Sequence, residues 1–351
     1  MQTDADRPPA FATMKEAAMN NRLTAAFLCL VLGGTAALGP DRATAEVPVL
    51  TVLTHDSFAS EWGPGPAVEK AFEAECACDL RFVTAGDAAA ILSRLQLEGG
   101  HGDTDVALGL DTSLMAAADA TGLFAPHGQP APDALPLPWD DLTFLPYDWG
   151  WLAFVYDRTK LAAPPGSFEE LTASNLKILI EDPRSSTPGL GLVLWVKDAY
   201  GDDAAAIWRG LSDNIVTVTP GWSQAYGLFL DGEADMVLSY TTSPAYHRIA
   251  EGDDSKDWAP FSEGHYLQVE LGAVLAASRQ PELAHAFLAF TQTAAFQSLI
   301  PETNWMYPVT SVPLPEGFET ARPEKSLLLD PARAEALRGP AIAEWQAALA
   351  R

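Results

Sequence analysis

The chain has 351 residues, 48% hydrophobic and 19% charged, with 47 Asp plus Glu against 21 Lys plus Arg and a formal net charge of −26. That length exceeds one ordinary compact core, so two lobes are expected. So acidic a surface excludes nucleic acid and anionic membrane as partners and suits cationic or zwitterionic ones.

Residues 23–38 form an apolar run preceded by Lys15 and Arg22 and followed by Ala43-Thr44-Ala45. The pattern reads as a secretory signal peptide over residues 1–45, too short a run for a membrane span, so the mature chain is expected to be exported to the periplasm and soluble. Cys76 and Cys78 are the cysteines left after cleavage. In an oxidising compartment a C-x-C pair suits a small disulfide, whereas a metal site would need further ligands nearby, so a structural role is expected.

After the leader, strands and helices alternate. Residues 47–54 read as a buried strand, 66–75 as a helix opened by Gly63-Pro64-Gly65-Pro66, and 80–84 as a second strand. A helix over 87–98, with Asp87 as N-cap and Ile91, Leu92 and Leu95 on one face, precedes a third strand at 106–110. This alternation implies a parallel sheet with right-handed crossovers. Residues 129–138, rich in Pro and Ala, read as a surface connection, and the aromatic stretch 142–156 as an extended crossing between lobes. A second series follows: strands at 176–180, 215–219 and 236–240, helices at 188–200 and 223–230. Residues 267–276 read as the return crossing, and the remainder as helical, with Leu283, Phe287 and Phe290 at helical spacing and a last helix running to Arg351. The expected division is one lobe over 46–150, joined by 265–351, and a second over 151–264.

In parallel sheets the loops after the strands face the ligand. Here those loops carry His55-Asp56-Ser57, Asp87-Ala88, Asp111-Thr112-Ser113, Ser185-Ser186-Thr187, Gly221-Trp222-Ser223 and Tyr240-Thr241-Thr242-Ser243. The Ser186-Thr187 hydroxyls and the helix start they open suit an anion such as phosphate; an ordinary N-cap with Pro188 at the first helical position is the alternative. Trp222, Tyr240 and Tyr246, with Trp62 and Trp305 as further members, suit a flat or cationic ring, worth ~0.5–2 kcal/mol per desolvated contact. Trp195, Trp208 and Trp345 read as core packing, and Asp182-Pro183-Arg184 as a structural ion-pair corner. The six His show no metal-ligand spacing, no nucleophile stands out, and Gly189-Leu190-Gly191 is only a fragment of a dinucleotide fingerprint.

The sequence closely resembles the periplasmic thiamine-binding proteins of bacterial ABC importers. The resemblance runs through Asp56-Ser57-Phe58 with Trp62-Gly63-Pro64-Gly65-Pro66, Gly109-Leu110-Asp111, the stretch 182–191, Gly221-Trp222-Ser223, 238–246, 261–268 and 304–309. It implies a type 2 periplasmic binding protein, an α/β fold of two lobes with the ligand cleft between them, which closes on thiamine, thiamine monophosphate or thiamine diphosphate. The same resemblance implies delivery of that ligand to an inner-membrane permease, no catalysis and no resident cofactor; a monomer is expected. Carried over by position, ligand contacts fall on Asp87, Ala88, Ser186, Thr187, Trp222, Tyr240, Thr241, Thr242 and Ser243, with Trp62, Tyr246 and Trp305 as aromatic neighbours. His55 stands where the family carries Tyr, and Ala88 where it carries Gly. At His55 a titratable ring replaces an aromatic wall, which either weakens stacking or favours phosphorylated forms. The rivals are a thiaminase-I-like enzyme, which needs a cysteine in the cleft, and a ferric-ion binder, which needs adjacent tyrosines where this chain has Tyr240-Thr241.

Overall fold

The computed structural model describes residues 47–318 and 322–350; the signal-peptide reading and Arg351 lie outside them. Among the described residues, twelve strands form one sheet: β1 (Val49–Thr54), β2 (Asp79–Thr84), β3 (Val106–Asp111), β4 (Phe124–Ala125), β5 (Leu145–Asp157), β6 (Ile178–Glu181), β7 (Ile215–Thr219), β8 (Met236–Tyr240), β9 (Lys256–Trp258), β10 (His265–Leu275), β11 (Tyr307–Pro308) and β12 (Ser326–Leu327). Along the sheet the order is β2-β1-β3-β10-β5-β8-β6-β7. At one end β1 pairs parallel with β2 and β3, and at the other β6 pairs parallel with β7 and β8. Between these groups run two long antiparallel strands, β5 and β10.

The residues of β5 explain why it links the groups. All thirteen are buried, with Leu145 and Tyr147 in one apolar cluster and Trp149, Trp151, Leu152, Phe154 and Tyr156 in another. Its first half pairs with β10 and its second half with β8, so one continuous strand belongs to both groups. In β1, Leu50 and Val52 face one cluster and Leu53 the other, as expected of a parallel strand covered on both faces.

Helices Gly65–Cys76, Ala88–Glu98, Thr187–Tyr200, Trp222–Leu230 and Pro281–Thr291 lie where the sequence places them, and the last helix is Pro331–Leu349. Residues 129–138 hold no helix or strand. Cys76 and Cys78 are joined by a disulfide between that first helix and β2. Trp195, Trp208 and Trp345 are buried as expected, and Arg184 pairs with Asp182. One expectation needs correction. The region after β10 is not wholly helical, because β11 and β12 pair with β5 and β10; strands of two residues are too short to show a period. Trp208 lies within helix Ala204–Leu211, which also packs Ile207 and Leu211. No described helix is long and apolar enough to cross a membrane.

Candidate ligand-binding site

His55, Asp111, Glu181 and Tyr240 sit at or just past the carboxyl ends of β1, β3, β6 and β8. His55 is the N-cap of the short helix Asp56–Ala59. Phe58 N–H donates to its Nδ1 at 3.2 Å, which leaves the proton on Nε2, 3.2 Å from Glu270 Oε2 and 3.2 Å from the Tyr147 hydroxyl. Tyr147 also donates to Glu270. Gly109 lies against the ring with φ +109, and a Cβ there would stand 2.5 Å from His55 Cδ2, so only glycine fits.

From Glu270 a chain of hydrogen bonds crosses the sheet. Gln268 donates to Glu270 Oε1 at 3.1 Å, Tyr240 donates to Gln268 Oε1 at 3.0 Å, and the Tyr240 backbone N–H reaches Ser243 Oγ at 3.2 Å. Ser243 and Ser239 share a bond of 2.7 Å, and Trp222 Nε1 donates to Ser239 Oγ at 2.8 Å. The Trp222 ring stacks on Tyr226 at 5.1 Å and lies 6.4 Å from half-exposed Trp62. His55, Tyr240, Ser243 and Trp222 are thus members of one network, and Trp62 flanks it.

Asp87 and Ala88 meet Ser186 and Thr187. Ala88 N–H donates to Thr187 Oγ1 at 3.1 Å, and the Asp87 carboxyl faces the Ser186 hydroxyl and the Thr187 backbone N–H. Thr241 and Thr242 are fully buried, and their hydroxyls have no hydrogen-bond partner. Tyr246 and Trp305 form an edge pair at 5.3 Å, with Tyr246 donating to Glu251 at 3.0 Å. Trp305 holds φ +56, a left-handed backbone that costs a bulky residue on the order of 1 kcal/mol or more. A ring contact of 4.8 Å to His247, which in turn stacks on Tyr226, ties that pair to Trp222.

Sequence reasoning named Asp87 and Asp111 but missed Asp148, Glu181 and Glu270 among the acids that surround these residues. Glu181 is 1% exposed and neither carboxyl oxygen has a partner; Asp148 is fully buried and accepts from Asn304 Nδ2 at 2.6 Å. Burial raises both carboxyls well above the ordinary range, with Asp87 adding repulsion at Glu181 and Glu270 at Asp148. Burial also lifts Asp111 to about 7, and raises Asp87 despite the nearby His55 charge. A signal was present: Gln268 and Glu270, two apart in an apolar strand, must share a face.

His247, Glu251 and Asp253 bring ligand atoms within 4.8 Å of one another, a grouping that the spacing did not reveal. Both His247 nitrogens are already engaged, by Tyr226 and Glu251, and Lys256 sits 3.2 Å from Asp253. A network of this kind accounts for the cluster without an ion.

The bacterial extracellular solute-binding protein family model matches residues 64–298. The chain belongs to this family. It is 55% identical over 309 residues to the thiamine-binding periplasmic protein of Escherichia coli (strain K12), covering 87% of this chain and 94% of that one. Relative to the same-named protein of Brucella abortus biovar 1 (strain 9-941) the identity is 50% over 308 residues, covering 86% and 92%. A solved structure described as a periplasmic thiamin binding protein superposes with a TM-score of 0.86 at 53% identity, covering 90% of this chain and all of that one. Iron-bound HitA from Pseudomonas aeruginosa, 18% identical with a TM-score of 0.70 over 86% of this chain and 99% of that one, shares the fold alone. This solute-binding protein therefore has the type 2 periplasmic binding fold, and its family are binding proteins rather than enzymes.

Proposed function

We propose that this chain is the thiamine-binding subunit of an ABC importer, exported to the periplasm as a monomer, which takes up thiamine or its phosphate esters and hands them to an inner-membrane permease. In this reading the parallel strand groups at the two ends of the sheet serve as its lobes, hinged on β5 and β10.

Charge carries the proposal. Asp87, Asp111, Asp148, Glu181 and Glu270 surround the site, each with a shielded or buried carboxyl, and His55 is the basic side chain among them. Carboxyls crowded in this way favour a cationic ligand, which restores their ionised forms. Thiamine brings a permanently charged thiazolium, and Trp222, Tyr240 and Trp62 offer faces for its flat rings. The unpartnered Thr241 and Thr242 hydroxyls suit its polar groups. Names and coverage of the relatives support the same ligand class. The enzyme rival lacks its nucleophile, since Cys76 and Cys78 are bonded to each other. Thiamine is cargo here, and the proposal needs no resident cofactor.

Calorimetric titration of ligand-free protein with thiamine, its monophosphate and its diphosphate tests the reading. Binding of thiamine is expected, and Trp222→Ala or Tyr240→Ala should weaken it by about 1–3 kcal/mol. Absence of binding by all three compounds refutes it.

A further inference from the structure

Three buried carboxyls stand in one row across the middle of the sheet. Glu270 of β10 is in register with Asp148 of β5 on one side and with Asp111 of β3 on the other. Residues directly opposite on neighbouring strands share a face, with Cβ atoms about 5 Å apart. Beside this pairing β5 carries an extra residue: Glu270 is matched with Asp148 but Leu271 with Pro146, so Tyr147 bulges and its hydroxyl also meets Glu270. Like charges so close in a buried row do not all ionise together. Hydrogen bonds mark which acid is least supported as a carboxylate. Glu270 accepts from Gln268 and Tyr147 and lies 3.2 Å from His55 Nε2. Asp111 Oδ1 accepts the Ser113 and Leu114 backbone N–H groups at 2.5 and 3.3 Å. Asp148 is fully buried, takes one bond at Oδ2 from Asn304, and leaves Oδ1 without a partner among the described residues.

We propose that Asp148 carries a proton on Oδ1 in the ligand-free protein and releases it when the cationic ligand binds, an inference that rests on the thiamine reading above. The O–H bond breaks, the proton passes to the buffer, and the carboxylate left behind offsets the thiazolium charge. The row is joined to the site twice: Gln268 links Glu270 to Tyr240, and Asn304 directly precedes Trp305. Burial and the Glu270 charge both favour the neutral acid before the ligand arrives. Other titratable groups face the row. Tyr147 and Tyr240 stay neutral, because burial and Glu270 raise both well above the ordinary range. His55, with Asp87 and Asp56 behind it, and Glu181 are the further groups able to lose a proton. Arg322 lies over Trp149, which projects from the opposite face of β5 to Asp148.

Calorimetric titration with thiamine in buffers of different ionisation enthalpy counts the protons that leave. It is run at about pH 8, above the value to which burial lifts Asp111, and the unsubstituted protein should release about one proton or more per ligand. Asp148→Asn has the shape of the neutral acid and keeps an oxygen for Asn304, and its count should be lower by about one. Any protons that remain belong to His55 and Glu181. Should Asp148→Asn fail to fold, infrared difference spectra of Glu181→Gln decide: the carbonyl stretch of a protonated carboxyl should disappear when thiamine is added. Equal counts with and without Asp148, no release, proton uptake, or a carboxyl band that persists overturns the assignment while leaving the thiamine reading intact. Failure of the unsubstituted protein to bind thiamine overturns that reading, and this inference with it.

Discussion

At the scale of single residues, His55 stands among buried acids that favour its protonated form. Burial alone would lower its pKa, but the charge and hydrogen bond of Glu270, with Asp87 and Asp56 behind, raise it above the ordinary 6.5. A second proton on Nδ1 would give up the bond from Phe58 N–H and be donated to Ser57 Oγ, 2.8 Å away. A base whose folded pKa is raised stabilises the fold fully below its unfolded value, and the contribution is lost as pH rises through the folded value. Urea unfolding from pH 6 to pH 9 should therefore show a decline in stability to which His55 contributes. His55→Asn keeps an N-cap for helix Asp56–Ala59 but cannot titrate, so its decline should be shallower than that of the unsubstituted protein. Equal slopes would mean that His55 does not change its charge on folding.

At the scale of elements, the parallel strands and their helices were legible because apolar runs, caps and glycine turns all agreed, and β7 and β8 have the bounds that their apolar patterns predict. The loops of the site followed from that topology, so the aromatic and hydroxyl residues were legible too. Asp148, Glu181 and Glu270 were not: a Glu at the end of an apolar strand looks like a solvated edge until a helix is laid over it, as happens to Glu181. Gly189-Leu190-Gly191 was legible only as a weak cofactor motif, and its actual role is packing. A Cβ on Gly189 would stand 2.6 Å from the Glu181 carbonyl oxygen, and one on Gly191 would stand 2.5 Å from Leu152 Cδ1, so these glycines let helix Thr187–Tyr200 sit directly on β6 and β5. Gly189→Ala meets backbone that cannot rotate away, and should lower stability by about 1–3 kcal/mol in urea with little change in slope. Gly227→Ala, in helix Trp222–Leu230 with nothing within 4 Å, is the matched control and should raise stability by roughly 0.5–1 kcal/mol. If Gly189→Ala proved as benign as its control, the close-packing role would be wrong.

At the scale of the whole molecule, the question is whether the two strand groups unfold together. A two-lobed binding protein joined by flexible linkers would show two transitions, with ligand moving whichever lobe held most of the contacts. Here the link is structural: β5 and β10 are central strands of one sheet, and β10 pairs with β3 on one side and β5 on the other. The largest apolar cluster also spans both groups, taking Leu53 and Leu110 from one and Ile178 and Leu238 from the other. Loss of either group would expose part of a core that the other needs. Scanning calorimetry should therefore show a single transition with matching calorimetric and van't Hoff enthalpies. Thiamine at about a hundredfold above its dissociation constant adds about 2.7 kcal/mol, enough to move that one transition upward by roughly 5 °C as a unit. Two resolved transitions, or a shift confined to one of them, would show that the shared strands do not couple the groups.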